Sequence, residues 1–453
     1  MREKDEDRPT HARHWVVVFA VTLALISYTD RVVIAQAATN IQAELALTRV
    51  QMGWVFFVFS WAYTAFEIPG GWMGDRWGAR VVLLRVVTLW SFFTAATGWV
   101  WNYASLLGCR FLFGAGEAGC FPNLSKMIRN WLPGHERLRA QGLTWFAARW
   151  GGAVTPFLVA LLLQHVSWRR AFEVFGALGV VWGAFFLWWF KDRPRDHPAV
   201  NEAELALIPE ATARAEGERT PWRAIFANRS VLLLLLQYFL LSYGWWFYIQ
   251  WLPTYLKEAR GFAFAKDQLK GAVLAGLPLF LGGIGCWLSG FVEPRLARRF
   301  GTARARRGLG VWGLGAAGVL LVVSIQLRDP VLAMLAMGLA GFANDLTVPV
   351  SWGVCMDIGG RHTGTVSGGM NMMGAGGGAV AGPLVAYLLR ASGDDWNLPL
   401  YVAAAAYFGA MACWLAIDPV TPIASPEDEA AAVAGAPPGL ARPATGPVLR
   451  SPR

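Results

Sequence analysis

Apolar stretches long enough to cross a bilayer recur along this chain, separated by short runs rich in Gly, Pro, Asp and Arg. A bilayer core takes roughly 20 consecutive apolar residues as a helix. Windows of that kind fall near residues 15–36, 50–72, 81–101, 103–124, 141–163, 171–190, 230–256, 269–292, 308–326, 331–354, 364–389 and 398–417, about twelve in all. The pattern predicts an all-α membrane protein of about twelve transmembrane helices. The first window follows a charged, His-containing stretch and has no small-residue cleavage site, so it reads as a retained helix and not as a signal peptide.

An internal repeat organises these windows. One ungapped shift of 227 residues carries Gly114, Pro122, His135, Gly142, Gly151 and Pro156 onto Gly341, Pro349, His362, Gly369, Gly378 and Pro383. An even number of spans separates each pair, so the repeat is parallel and predicts two six-helix halves related by an axis along the membrane normal. The expected divisions are a cytoplasmic tail over 1–14, a first half over 15–190, a linker over 191–229, a second half over 230–417 and a tail over 418–453. The linker begins with a Pro-punctuated segment, Asp192 to Pro198, and continues into a short amphipathic helix near Asn201 to Leu205. It couples the halves mechanically or serves as a passive tether. The Ala, Pro and Gly content after Asp418 predicts disorder.

Composition narrows the class. Hydrophobic residues make up 55% of the chain and charged ones 15%, which excludes a soluble protein. The net charge of +10 comes from Lys and Arg scattered over short loops, most of them on one side if both termini are cytoplasmic, as the positive-inside rule expects for a cell (inner) membrane protein. Such scatter argues against nucleic-acid binding. Cys109, Cys120, Cys286, Cys355 and Cys413 all fall inside spans without CxxC spacing, so they imply neither disulfides nor a metal site. The Gly374 to Gly378 run lacks a following Lys and Ser/Thr, and it reads as close helix packing and not as a nucleotide loop. No cofactor and no enzymatic constellation is implied. One chain holds both halves, so a monomer suffices.

Charges inside the spans carry the candidate chemistry. Arg110 and Glu117 lie in an otherwise apolar run, and each charge costs roughly 2.5–3.5 kcal/mol at the centre of a membrane helix. Seven residues apart, they return to one helix face about 10.5 Å along the axis. Both are expected to line a polar cavity. Asp30 and Arg31 are adjacent, about 100° apart on their helix, so one can pair locally while the other faces the cavity.

Gly71-Trp72-Met73-Gly74-Asp75-Arg76-Trp77-Gly78-Ala79-Arg80 resembles the cytoplasmic signature loop of the major facilitator superfamily, with Asp75, Arg76 and Arg80 as gating charges. The second-half copy, Cys286-Trp287-Leu288-Ser289, is followed by Gly290 in place of the Asp, which predicts a weakened second charge lock. Within that superfamily the chain resembles the anion:cation symporter family over about residues 15–417, through Tyr28-Thr29-Asp30-Arg31, the run from Arg110 to Pro122, Glu136-Arg137-Leu138-Arg139-Ala140-Gln141-Gly142 and Trp168-Arg169-Arg170-Ala171-Phe172. The resemblance implies import of a sugar acid such as a hexuronate, aldonate or aldarate by proton symport with alternating access.

On that reading the partners are an organic anion, protons and membrane lipid. Arg31 is the leading candidate for the substrate carboxylate, because a guanidinium offers planar bidentate donors and stays charged; a structural ion pair is its alternative. Asp30 and Glu117 are candidates for the coupling protons, with Arg110 as the partner that holds or releases a carboxylate. Tyr63, Glu67, Tyr248, Gln250 and Asn371 are polar groups within spans suited to hydroxyls, unless they simply pack. Arg149 holds a second carboxylate or a distal hydroxyl, or pairs helices. Asn344, Asp345 and Ser351 are the further polar positions of the second half, and Asn344 matches Glu117 in the repeat. Exchange or export of an aromatic acid is the second transport reading, and a non-transporting membrane sensor the third.

Overall fold

The computed structural model describes residues 8–208, 220–261 and 268–423. The expected disorder after Asp418 therefore falls mostly outside the described residues, as does the middle of the linker. Fourteen principal helices form two groups of six crossings: α1 (Arg13–Glu44), α2 (Arg49–Trp77), α3 (Ala79–Thr97), α4 (Tyr103–Glu117), α5 (Cys120–Trp131), α6 (Gly134–Leu163) and α7 (Trp168–Trp189) in the first half, then α8 (Arg229–Gln250), α9 (Gln268–Phe300), α10 (Thr302–Gln326), α11 (Pro330–Asp345), α12 (Val348–Gly359), α13 (Thr363–Ser392) and α14 (Asn397–Ala416) in the second. Nine helical stretches among the described residues are long and apolar enough to span a membrane, the longest, Pro330–Ser392, comprising α11, α12 and α13.

Side chains at the helix starts supply the acceptors that the free N–H groups need. Thr48 and Gln51 form a capping box on α2, and Asn102 and Ser105 form one on α4. Asn228 and Asp329 cap α8 and α11.

The windows near 103–124 and 331–354 are not single straight spans. Each crossing breaks near its middle, after Glu117 and after Asp345. At the first break Ala118 is extended and Gly119 is left-handed, with φ +86°, a conformation that only glycine adopts without strain. A Cβ on Gly119 would also collide with the backbone of Gly70 on α2. The freed Ala118 carbonyl accepts from Arg85 Nη2 at 3.0 Å. Shifted by 227 residues the first break falls within one residue of the second, so the repeat extends to the interruption.

The halves meet mainly through α2 against α13 and α6 against α9. Small residues allow the first crossing to be close: a Cβ on Gly71 would strike the Gly364 carbonyl, and one on Gly368 the Glu67 carbonyl. The chain ends and the linker share one face. Glu204 of the linker binds the start of α1, and Ile423 donates to the Ile358 carbonyl at 2.9 Å.

Candidate functional site

The α4 break delivers Glu117 into the centre of the first half. Arg31 Nε on α1 donates to Glu117 Oε1 at 2.8 Å, and Ser27 Oγ, one helical turn earlier, donates to the same oxygen at 2.6 Å. Glu117 Oε2 and Arg31 Nη2 are buried without hydrogen-bond partners. Aromatic rings surround the guanidinium: its carbon lies 4.3 Å from the Tyr63 ring centroid, 5.5 Å from Tyr28 and 5.8 Å from Phe59. Asp30 is 2% exposed, and neither of its carboxylate oxygens accepts a hydrogen bond.

Arg110 departs from the expected arrangement. Glu117 is held by Arg31, while the Arg110 guanidinium lies over Phe113 at 4.4 Å and Phe59 at 4.7 Å, with Nε buried and unpartnered. Two turns apart on α4, the residues meet different neighbours: Glu117, the last residue of the helix, reaches Arg31 and Ser27 on α1, whereas Arg110, mid-helix, packs on Phe59 of α2 and Phe113 of its own helix.

Two further contacts tie the halves together. Asn371 Nδ2 on α13 donates to Tyr63 Oη on α2 at 2.8 Å. Glu67, one turn from Tyr63, is fully buried, and neither carboxylate oxygen has a well-formed hydrogen bond. Arg149 on α6 grips Asp345 at the α11 break through Nε (2.7 Å) and Nη2 (3.1 Å). Asn344 Nδ2 donates to Asp345 Oδ1 at 2.9 Å, and the Arg149 guanidinium lies 3.9 Å from a Trp245 ring centroid. Arg149 thus does pair helices, across the two halves.

The candidate residues of the seventh crossing divide. Tyr248 is buried beside Trp245 and Phe247. Gln250 is exposed at the end of α8, where Nε2 donates weakly to the Gly378 carbonyl at 3.4 Å. Ser351 accepts from Gln237 and packs α12 against α8.

At the face carrying the termini the halves are clamped. Asp75 crosses to the second half and accepts from the N–H groups of Gly364 (2.9 Å) and Thr365 (2.7 Å) and from Thr365 Oγ1 (2.7 Å), at the buried N-terminal turn of α13. Lys126 pairs with Asp75 at 2.7 Å and also donates to the Arg361 carbonyl. Arg76 and Arg80 take no part in this clamp. Arg76 is exposed over Trp72, and Arg80 binds the Leu187 carbonyl and, through its N–H, Asp192.

The second-half lock is intact despite Gly290, built from other residues: Arg306 pairs with Glu293 (3.2 Å) and Asp357 (2.6 Å), and Arg137 of the first half reaches Asp357 at 3.2 Å. Gly290 is needed for packing, because a Cβ there would press on the Arg139 backbone. The sequence reading missed Lys126, Glu293, Arg306 and Asp357. Lys126 and Asp357 lie in α5 and α12, the second segments of the two broken crossings, and charge within an apolar window was the available signal. Among the described residues no hydrogen bond or ion pair joins the halves at the opposite face.

Two six-helix halves packed around buried, paired charges and clamped at one face are the architecture of a membrane carrier. The model for the Major Facilitator Superfamily matches residues 20–382. A Cupriavidus necator protein named "Probable sulfoacetate transporter" is 36% identical over 93% of this chain and 97% of its own length. The D-galactonate transporter of Escherichia coli O6:H1 is 30% identical over 91% and 97%, and the hexuronate transporter of Bacillus subtilis 28% identical over 89% and 94%. Among solved structures, the proton:xylose symporter bound to 6-bromo-6-deoxy-D-glucose superposes with a TM-score of 0.71 over 94% of this chain and 99% of that one; at 13% identity it speaks for the fold alone. The chain belongs to the major facilitator superfamily: it is a multi-pass membrane transporter and not an enzyme.

Proposed function

We propose that this carrier imports a small organic anion together with protons, with both termini on the cytoplasmic side of the cell membrane. The observation that carries the reading is the Arg31 to Glu117 pair beside an unpartnered, buried Asp30. A substrate acid group has the same chemistry as the Glu117 carboxylate and competes with it for Arg31. Glu117, once released, is a buried carboxylate without its counter-ion, and proton uptake relieves that cost. Anion and proton therefore bind together. Asp30 contributes a second proton position, and Arg110 sets the local potential over the same two carboxyls.

The named substrates of the relatives, sulfoacetate, galactonate and hexuronate, are all organic acids and support this substrate class. With the termini cytoplasmic, the clamp at Asp75 closes the cytoplasmic side, the state that receives an external substrate. Polar groups at Tyr63 and Asn371, bridging the halves, suit substrate hydroxyls. Exchange or export of an organic acid uses the same arginine and differs in coupling; a sensor role has no feature here that favours it.

The test uses purified protein in liposomes loaded with a pH dye and challenged with a panel of sulfonated, sugar and aromatic acids. Substrate-dependent acidification of the lumen is expected. Substrate movement without acidification overturns proton symport, and no movement of any acid overturns the transport reading of Arg31.

A further inference from the structure

Arg149 spends only one side of its guanidinium on Asp345. Nε and one Nη2 hydrogen satisfy the carboxylate, which leaves the Nη1 side of a five-donor group. That side faces Tyr28: Nη1 donates to its Oη in a long bond of 3.4 Å, which engages one of the two Nη1 hydrogens. The ring of the same tyrosine lies against Arg31, 5.5 Å from its guanidinium carbon. One tyrosine therefore touches two arginines, the half-buried Arg31 on α1 and the buried Arg149 on α6. Arg31 likewise keeps Nη2 buried and unpartnered. Each arginine is oriented from behind by its own carboxylate, Glu117 or Asp345, and Trp245 stacks on Arg149 to hold it flat.

Resting on the anion-carrier reading above, we infer that the substrate is a small dianion with acid groups at its two ends: one is bound by Arg31, the other by the Nη1 edge of Arg149, where it takes over from the long Tyr28 bond. Asp345 is a positioning residue, which fixes the plane of the Arg149 fork and, through Asn344, keeps its own carboxylate in place. Substrate bound this way contacts α1 of the first half and, through the Arg149–Asp345 pair, α11 of the second. A monoanion of the same length engages Arg31 alone.

The experiment compares matched acids on the purified full-length protein by calorimetric titration: galactarate against galactonate, and sulfoacetate against acetate. Wild type is expected to bind at least one dianion about tenfold or more tightly than its monoanion partner, the equivalent of one charge-assisted interaction. Arg149→Gln alone strands Asp345, so the double variant Arg149→Gln/Asp345→Asn serves as the balanced test. It is expected to lose the dianion preference while monoanion affinity stays within about twofold. Arg149→Lys, a point charge without the fork, is expected to restore part of the preference. Equal binding of the members of both pairs by wild type, or parallel loss of both by the double variant, overturns the inference and leaves the Arg31 reading standing. Absence of binding for all four acids overturns both.

Discussion

Glu117 is the residue on which coupling turns. Its Oε1 is saturated by Arg31 and Ser27, while Oε2 is bare and buried, so the carboxylate is half prepared to leave its partner. Glu117→Gln mimics the protonated form and is expected to abolish uphill uptake while substrate exchange across the liposome membrane stays measurable. Retained concentration of substrate under an imposed pH gradient in that variant assigns coupling elsewhere, to Asp30 first. Arg31→Ala removes the anion anchor and strands Glu117, and such one-sided loss of a buried pair costs about 3–5 kcal/mol. It is expected to lose substrate binding in calorimetry, whereas Ser27→Ala, which removes one of two donors, keeps it with a weakened fit.

The broken crossings are the informative elements. α4 carries Glu117 on its last turn, beside α1, and the interruption at Ala118 and Gly119 separates it from α5. Gly119→Ala places a side chain at φ +86°, a cost of about 1–2 kcal/mol, and also forces α2 away at Gly70. A lower melting midpoint by intrinsic tryptophan fluorescence is expected, with loss of transport beyond what the folded fraction explains. Asp75 acts at the start of another element, α13. Hydrogen bonds to charged groups contribute about 1.5–3 kcal/mol each, so Asp75→Ala is expected to shift the closed and open populations at the terminal face by about tenfold or more. Labelling of a cysteine introduced at Ser367, a buried position of α13 whose hydroxyl takes no part in the clamp, reads this as faster modification, and an unchanged rate removes Asp75 from the clamp.

Over the whole molecule, the linker is anchored more firmly to the first half than a passive tether requires. Glu204 accepts from Thr10 Oγ1, from the N–H groups of Ala12 and Arg13 (both 3.0 Å) and from Arg13 Nη1 (3.1 Å). Arg13 in turn pairs with Glu136 on α6 at 2.9 Å. Burial works to raise the Glu204 pKa, but the hydrogen bonds from Thr10, Arg13 and Ala12 outweigh it and hold the carboxyl below its usual range. The docking is therefore at full strength above the usual carboxylate range and is lost as pH falls through the lowered value. Glu204→Gln is expected to speed tryptic cleavage of the linker at neutral pH. Equal rates at neutral pH sink the role of Glu204 in docking.

How far each level was legible differs in kind. Hydrophobic run length is a local property, and a bilayer forces every backbone polar group into helices, so the helical membrane fold and its two six-helix halves could be read from residues 15–417. The signature loop and the Arg110 to Pro122 run carried the family by chemistry that is local as well. Intramembrane charge cost singled out Asp30, Arg31, Arg110, Glu117 and Arg149 as residues that need a reason to be there. Which charge meets which was not legible, because pairing depends on where separate helices touch. The family resemblance named Arg110 as the partner that holds or releases a carboxylate, and the packing of α1 beside the end of α4 gave Glu117 to Arg31. Arg149 and Asp345 stand 196 residues apart, and only the packing of α6 against the second half makes them a pair. The sequence by itself determined that this chain crosses a membrane in two repeated halves with charge held inside, since solvation by lipid acts on each segment alone. Only the tertiary structure decided which ion pairs form, which face is clamped and which donors stay free, because those contacts exist only after the helices have packed.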